Sequence, residues 1–177
     1  MSSICVCITN PMRKDEKGRL LGEWVSLPLN DDEIGEVLSL IGIDGEHQDF
    51  IISDAELQNF DFEIGTHTDF YELNELAKKI VGLDVFEDVK LAALLEWEPR
   101  TTFAEISDAI DELDHYEFIS EVYNDTDLGE YYIHEIGMFD ALPERLRYYV
   151  DAERYGRDIR YESDLYYSSF GVIMRNY

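Results

Sequence analysis

The sequence predicts an α+β fold in which helices lie between two groups of strands. Strand-like segments rich in β-branched or aromatic residues occur near both ends of the chain, and the middle has apolar residues at helical spacing. Of the 177 residues, 45% are hydrophobic and 13% are aromatic. Acidic chains that remain disordered are much poorer in apolar residues, so this chain is expected to fold around a core.

The first segment predicts a small sheet. Ile4–Thr9 is rich in β-branched residues and predicts a strand, and Leu20–Leu29 is its expected hairpin partner. The turn between them is expected to contain Pro11 and Gly18.

One helix and a third strand complete this unit. Asn30 is a good N-cap with Glu33 three residues later, as in a capping box, and the helix is expected to run to Ile41. Asp49–Asp54 predicts the third strand, and an irregular stretch near 62–65 ends the unit.

The middle of the chain predicts three short helices. The first covers Asp69–Val81, where apolar residues recur every three or four positions. Two more begin at capping boxes, one formed by Asp84 with Glu87 and the other by Thr102 with Glu105.

The last segment returns to mixed structure. It predicts a strand at Tyr116–Asn124, a helix at Thr126–Phe139, a short helix starting at Pro143, and strands around Ile159–Tyr167 and Gly171–Asn176. These patterns divide the chain into an N-terminal α+β domain (1–65), a central helical domain (66–114) and a C-terminal α+β domain (115–177).

Charge is the most unusual property of the chain. It has 40 acidic and 14 basic residues, a formal net charge of −26. Fifteen acidic residues lie between Arg19 and Lys78 without a base, and thirteen more lie between Arg100 and Arg145. Solubility alone needs a net charge of only about 2–8 in magnitude, so this excess suggests a function.

No catalytic, cofactor or metal motif is present, and the sequence predicts a protein that is not an enzyme. Asn124–Glu135 resembles the start of a calcium loop, but Ile136 stands where the bidentate Glu is required. Cys5 and Cys7 have neither redox nor zinc spacing and are expected to be buried thiols. With no signal peptide and no membrane-spanning stretch in the sequence, we expect a cytoplasmic protein.

Arg145–Tyr161 mixes arginine with aromatic residues. In a basic protein this pattern would suggest nucleic-acid binding, but a chain of net charge −26 repels phosphates. For the six arginines beyond residue 144, packing, internal ion pairs with the acids and a subunit contact are the expected roles, because Tyr and Arg are enriched at interfaces.

Two helices carry rows of carboxylates. Asp69, Glu72 and Glu75 form one row, and Glu105, Asp108 and Glu112 are expected to form another, with Asp111 and Asp114 beside it. Such rows place a charge about every 5–6 Å, against about 3.4 Å along one DNA strand. They could imitate DNA for a basic partner, or they could be solvated faces of the kind found in salt-adapted proteins.

Three segments resemble the ArdA-type antirestriction proteins: Leu21–Leu29, Leu94–Glu105, and Tyr149–Ile159, the last followed by the closing GVIMRN. The resemblance implies a non-enzymatic protein of mobile genetic elements, an elongated homodimer of three small domains in a row. It implies a mimic of bent B-form DNA that occupies the DNA-binding groove of Type I restriction–modification enzymes and competitively blocks restriction and modification. No cofactor, direct nucleic-acid binding or membrane contact is implied.

Carried over by position, the resemblance implies a surface of phosphate-mimicking carboxylates. Its members are Asp69, Glu72, Glu75, Glu105, Asp108, Asp111, Glu112, Asp114, Glu117, Glu121, Asp125, Asp127, Glu130 and Glu135. The apolar residues Leu94, Leu95 and Phe103 are assigned to packing, and Tyr155–Asp158 to structural roles. The basic loop Arg13–Arg19 and the several C-terminal arginines depart from the family pattern.

Two other functions stay open. One is an acidic binding or chaperone-like module for another basic DNA-binding protein, and a weaker one is an acidic enzyme of a salt-adapted organism. A partner whose groove fits a bent duplex, and competition with DNA, would distinguish the mimic from the module.

Overall fold

The computed structural model describes residues 3–43, 49–58 and 62–176, and their fold is α+β, as the sequence predicts. These residues form two antiparallel sheets of three strands each and eight α-helices. None of the helices in the described ranges is long and apolar enough to cross a membrane. In chain order the elements are β1 (Ser3–Lys14), β2 (Leu20–Leu27), α1 (Asp31–Leu40), β3 (Ile51–Gln58), α2 (Phe70–Gly82), α3 (Val85–Trp97), α4 (Phe103–Asp111), a 3₁₀ turn (Leu113–His115), β4 (Tyr116–Ser120), α5 (Asp125–Glu135), α6 (Met138–Ala141), α7 (Glu144–Arg147), α8 (Ala152–Glu162), β5 (Leu165–Tyr167) and β6 (Gly171–Arg175).

The chain forms two compact units. The first comprises the residues up to Asp88 together with Arg100–Ile110, and the second comprises Val89–Pro99 together with the residues from Asp111 onward. The finer division into three domains stays a prediction.

The sheet of the first unit has the strand order β2–β1–β3. Ile4, Val6 and Ile8 alternate along β1 and are each at most 1% exposed, so they face the core. Cys5 and Cys7 fall between them on the other face, where they are half-buried free thiols. The prediction of two buried thiols is therefore wrong, because the branched aliphatic residues take the covered face of the strand.

The β1–β2 hairpin is longer than the sequence predicts. β1 continues through Pro11 to Lys14, and its pairing with β2 shifts register between Asn10 and Lys14. The turn comes later, where the Asp15 carboxylate accepts two backbone N–H bonds and Gly18 has φ of +81°. Proline is tolerated here because it lies where the ladder is already irregular.

Helix α2 is fixed to the first unit by one polar side chain and an apolar face. The buried Asn74 amide bonds both the N–H and the carbonyl oxygen of Leu29, at 2.8 and 2.9 Å. Leu73, Leu76 and Ile80 are buried on the same side of the helix. The opposite side of α2 is thereby held toward solvent in a defined orientation.

The sheet of the second unit has the strand order β4–β6–β5, and its residues Val172 and Met174 share a core with Leu128 of α5 and Ile159 of α8. The two helices cross at Gly129 and Gly156. A Cβ on Gly129 would lie 1.8 Å from the carbonyl oxygen of Ala152, and one on Gly156 would lie 1.8 Å from that of Asp125. Glycine is required at both positions, because the backbones touch there.

Two C-terminal predictions are corrected by the structure. Helix α8 was not predicted, and it takes the first residues of the strand expected at Ile159–Tyr167, so that β5 begins only at Leu165. The helix expected to reach Phe139 ends at Glu135, because Gly137 adopts a left-handed conformation with φ of +62° before α6 starts.

An aromatic and arginine cluster fixes the end of α3 within the second unit. The Trp97 ring stacks on Tyr166 at 6.4 Å, and the Arg175 guanidinium lies over the rings of Trp97 and Tyr116 at 5.6 and 5.5 Å. Arg175 also forms an ion pair with Glu98. An arginine of the acidic chain is thus used for internal packing, as the sequence predicts for part of its C-terminal bases.

Candidate partner-binding surface

Helix α2 presents the first group of predicted carboxylates. Asp69 is the N-cap, and its carboxylate accepts the N–H groups of Tyr71 and Glu72 at 2.8 and 3.2 Å. Glu72 and Glu75 follow one turn apart on the exposed side. Glu75 pairs with Lys78 at 2.6 Å, but both side chains are largely exposed, and such pairs contribute little. The row predicted from the sequence therefore exists on this helix.

Helix α4 presents a second group. The Glu105 carboxylate accepts the N–H groups of Thr101 and Thr102, both at 3.0 Å, and the Thr102 hydroxyl accepts the Glu105 N–H at 3.2 Å. The hydrogen bonds from Thr101 and Thr102 lower the pKa of Glu105, and the bond from the Thr101 N–H has the largest effect. Asp108 is exposed one turn later, and its side chain has no hydrogen bond or ion pair to any described residue. Glu105 thus carries a fixed charge as well as capping the helix.

The predicted row on α4 is shorter than expected. The helix ends at Asp111, and Glu112 precedes the 3₁₀ turn at Leu113–His115 instead of continuing the helix. Asp111, Glu112 and Asp114 are all exposed. The carboxylates are present at the surface, but Glu112 does not belong to a helical row with Glu105.

Four further predicted carboxylates of the second unit are exposed. Glu117 faces outward on β4 between buried neighbours, and Glu121 occupies a left-handed turn with φ of +62°. Glu130 and Glu135 lie on the exposed side of α5. None of the four is hydrogen bonded or ion paired to another side chain in the described part of the chain.

Asp125 lies in a different environment. Its carboxylate accepts bonds from Arg160 Nε at 2.8 Å and from the Tyr167 hydroxyl at 2.9 Å, and Arg157 lies 3.8 Å away. Burial raises the pKa of Asp125, but the bonds from Arg160 and Tyr167 and the nearby arginine charges outweigh it, so its pKa is lowered. Burial and the bond to Asp125 raise the pKa of Tyr167. The charge of Asp125 is balanced inside the fold, which leaves little of it for a partner.

Asp127 also bonds within the fold. It accepts the Tyr123 N–H at 3.0 Å and an Asn124 side-chain N–H at 2.8 Å, while Asn124 caps α5. The segment that resembles a calcium loop in sequence is thus a helix start. Asp125 and Asp127 are the two half-buried members of the predicted surface.

The remaining twelve predicted carboxylates are exposed. Ten of these twelve make no ion pair with any described residue. In the first unit they are Asp69, Glu72, Glu105 and Asp108, and in the second they are Glu112, Asp114, Glu117, Glu121, Glu130 and Glu135. Each unit thus presents charge that the fold does not neutralise.

Sequence reasoning missed a third source of exposed charge in the first unit. It consists of exposed carboxylates on α1 and β3: Asp31, Asp32, Glu33, Glu36, Asp54 and Glu56. The first base-free window, which contains all six, was the signal that could have found them.

Several basic residues form pairs within the fold. Arg19 of the basic loop binds Asp15 across the hairpin turn, and Arg157 binds Glu153 as well as Asp125. These pairs involve acidic residues that lie outside the exposed rows. They reduce the effect that the basic loop and the C-terminal arginines have on the acidic surface.

A comparison with protein families matches residues 6–174 to the model of the antirestriction protein ArdA. The chain belongs to the ArdA antirestriction protein family. The resemblance inferred from three short segments is thereby confirmed over nearly the whole chain. A search of curated proteins found no match.

Membership of the ArdA family gives the surface its context. ArdA proteins are antirestriction proteins, so this chain is an inhibitor that acts against restriction enzymes. The matched range contains every predicted carboxylate from Asp69 to Glu135. Of the apolar residues assigned to packing, Leu94 is fully buried and Phe103 contacts Phe62 edge to face at 5.8 Å.

Proposed function

We propose that this protein is a DNA mimic that occupies the DNA-binding groove of Type I restriction–modification enzymes. The observation that carries the proposal is the set of ten exposed carboxylates with no ion pair in the described part of the chain. A folded protein tolerates this repulsion where the charge is directed at a basic partner. A groove that normally holds phosphates supplies such a partner.

The spacing of the charges supports the proposal. Glu72 and Glu75, three residues apart on α2, are separated by about 4.5 Å along the helix axis, against about 3.4 Å per phosphate on one DNA strand. The net charge of −26 equals that of the phosphates in roughly 13 base pairs. The total charge thus matches that of a short duplex, and a single helix row approaches the charge density of one strand.

Fixed positions support it further. Asp69 and Glu105 are held by backbone N–H bonds at the starts of α2 and α4. A carboxylate held this way loses little conformational entropy on binding, which favours affinity. It resembles a phosphate in this respect, since the duplex backbone also holds its charges in place.

Competition explains how such a protein inhibits both activities of the target. Cutting and modification require the same enzyme to hold DNA, so occupation of its groove blocks both. We further propose that the protein acts as a homodimer in the cytoplasm, where the enzyme meets incoming DNA. Two copies would double the length of duplex that the charges can replace.

Displacement of DNA tests the proposal directly. A labelled target duplex is bound to the DNA-recognising core of a Type I modification enzyme, and the protein is added at two salt concentrations. We expect displacement at near-stoichiometric protein. After correction for the affinity of the duplex at each salt concentration, the affinity of the protein for the enzyme should fall as salt rises, because binding releases counterions. A folded protein that displaces no duplex from several such enzymes, but binds another basic DNA-binding protein, would identify the chaperone-like module instead.

A further inference from the structure

A groove of about 650 Å³ lies between α2 and α4 within the first unit. Tyr71, Leu76, Phe103 and Ala104 give it an apolar lining, and its polar lining consists of Glu72, Glu75, Lys78, Lys79 and Ser107. Its volume is in the range of pockets that bind ligands, about 300–1,000 Å³. An acidic surface that acted only through its field would not need such a groove.

Two aromatic rings are presented to this groove in fixed positions. Tyr71 is 55% exposed and its ring is held by an edge-to-face contact with Phe70 at 5.6 Å. Phe103 is half-buried and packs edge to face on Phe62. Aromatic rings that line a groove can receive a cation on their faces.

The groove itself is lined by two carboxylates and two lysines, Glu72 and Glu75 with Lys78 and Lys79. The negative excess of the two helices comes from Asp69, Glu105 and Asp108, which do not line the groove. Lys78 is paired with Glu75, and Lys79 donates to the carbonyl oxygen of Ser107 at 3.5 Å. Glu72 has no partner among the described residues, so its charge remains available at the groove wall.

We propose that this groove binds an arginine side chain of the partner enzyme, with the guanidinium against Tyr71 and Phe103 and beside Glu72. Arginine fits better than lysine, because its planar and weakly hydrated head stacks on aromatic rings. Its methylene stem can cover Leu76 and Ala104. The proposal rests on the proposed function, since arginine is the residue that most often contacts DNA bases and also contacts phosphates.

A small probe tests the groove without any restriction enzyme. Acetyl-arginine amide is titrated into the full-length protein with isotope-labelled Tyr and Phe rings at high salt, and NMR shifts are followed. Acetyl-lysine amide and the neutral isostere acetyl-citrulline amide are the matched controls. We expect saturable shifts at Tyr71 and Phe103 with arginine, binding at least about threefold weaker with lysine, and none with citrulline. No saturable shift with arginine, or equal shifts with citrulline, would overturn the proposal.

A variant that keeps the charge tests the groove in the complex. Tyr71→Ala leaves the long-range field intact, so we expect it to weaken duplex displacement about tenfold at one salt concentration, with the same salt dependence as wild type. Tyr123→Ala, which removes a tyrosine of similar exposure outside the groove, is the control. Tyr71→Phe should recover most of the loss, because the ring remains. A loss with Tyr71→Ala no larger than with Tyr123→Ala would contradict the proposal.

The two experiments separate failure of the groove from failure of the function. If wild type displaces duplex but Tyr71→Ala matches the control, the mimic stands and the arginine site is wrong. If wild type displaces none, the mimic is wrong and the probe titration still decides the groove. Sedimentation of Tyr71→Ala must also give the mass of wild type. Conversion of a dimer to a monomer would assign the groove to a second copy of the chain and overturn the arginine site.

Discussion

Two carboxylates in the first turns of helices show how one type of residue serves opposite purposes in this protein. Asp125 is half-buried and hydrogen bonded to Arg160 and Tyr167, so its charge is balanced inside the fold. Glu105 is exposed and accepts only from Thr101 and Thr102, so its charge is fixed in place but faces solvent. Sequence alone does not separate the two, because Arg160 lies 35 residues from Asp125.

Replacement of Asp125 should affect stability. Asp125→Asn removes the ion pairs with Arg157 and Arg160, and we expect the free energy of unfolding at pH 7 to fall by about 1–3 kcal/mol. Urea unfolding followed by circular dichroism measures it. Glu130→Gln, an exposed carboxylate on the same helix, is the control and should change stability by less than about 0.5 kcal/mol. An equal effect of both variants would show that the network does not stabilise the unit.

The stability difference between wild type and Asp125→Asn should also depend on pH. The pKa of Asp125 is lowered in the folded state, so its contribution is present above its ordinary pKa of 3.8 and is lost as pH falls through the folded-state value. We therefore expect the difference in the free energy of unfolding between the two proteins to be full at pH 7, to shrink below pH 3.8 and to vanish once the pH is below the folded-state pKa. Curves separated by the same amount at both pH values would indicate that Asp125 acts through packing instead of charge.

Helix starts are the elements that the sequence predicts best. The capping boxes at Asn30 with Glu33 and at Asp84 with Glu87 are both present, as is that at Thr102. Each depends on residues at most three positions apart, so the signal is complete in the local sequence. The exposed faces of α2 and α4 follow from the same local periodicity, which is why the exposure of most of these carboxylates could be predicted.

Helix α8 shows where local signals fail. Gly156 falls in its middle, where glycine lowers helix propensity, and the row at helical spacing, Ala152, Tyr155, Gly156 and Ile159, contains only one large aliphatic residue. The helix forms because Gly156 lets it cross α5 at Gly129, a contact between residues far apart in the chain. The internal use of Asp125 was missed for the same reason, since its partner Arg160 lies on α8.

The crossing of α5 and α8 makes a prediction about this pair of helices. Gly156→Ala would place a Cβ 1.8 Å from the carbonyl oxygen of Asp125, so the helices must separate. We expect a loss of more than about 3 kcal/mol in the free energy of unfolding, measured with urea. Gly35→Ala on α1 meets nothing within 4 Å and should instead stabilise by about 0.5–1 kcal/mol. A mild effect of Gly156→Ala would show that the crossing adjusts easily.

At the scale of the whole molecule, inhibition should depend on many charges together. Neutralising one of Glu105, Asp108 or Glu112 should change inhibition only slightly, whereas neutralising all three should weaken it clearly, because the field is shared. Glu105→Gln keeps the capping bond, so the effect of the charge can be separated from the effect on the helix. Duplex displacement measures all four variants, and circular dichroism checks their folding. A large loss from a single variant with the fold intact would indicate a localised hot spot instead.

Salt should affect folding and binding in opposite directions. The net charge of −26 repels itself in the folded chain, so screening by salt should raise the free energy of unfolding. The same screening should weaken binding to a basic groove, since each released counterion gains less entropy at higher salt. Unfolding by urea and duplex displacement, measured over one series of sodium chloride concentrations, test both trends in one protein.

If binding strengthened as salt rose, the contact with the partner would be mainly apolar and the exposed carboxylates would not drive it. If the free energy of unfolding fell as salt rose, internal ion pairs such as that of Asp125 with Arg160 would outweigh the repulsion among the exposed carboxylates.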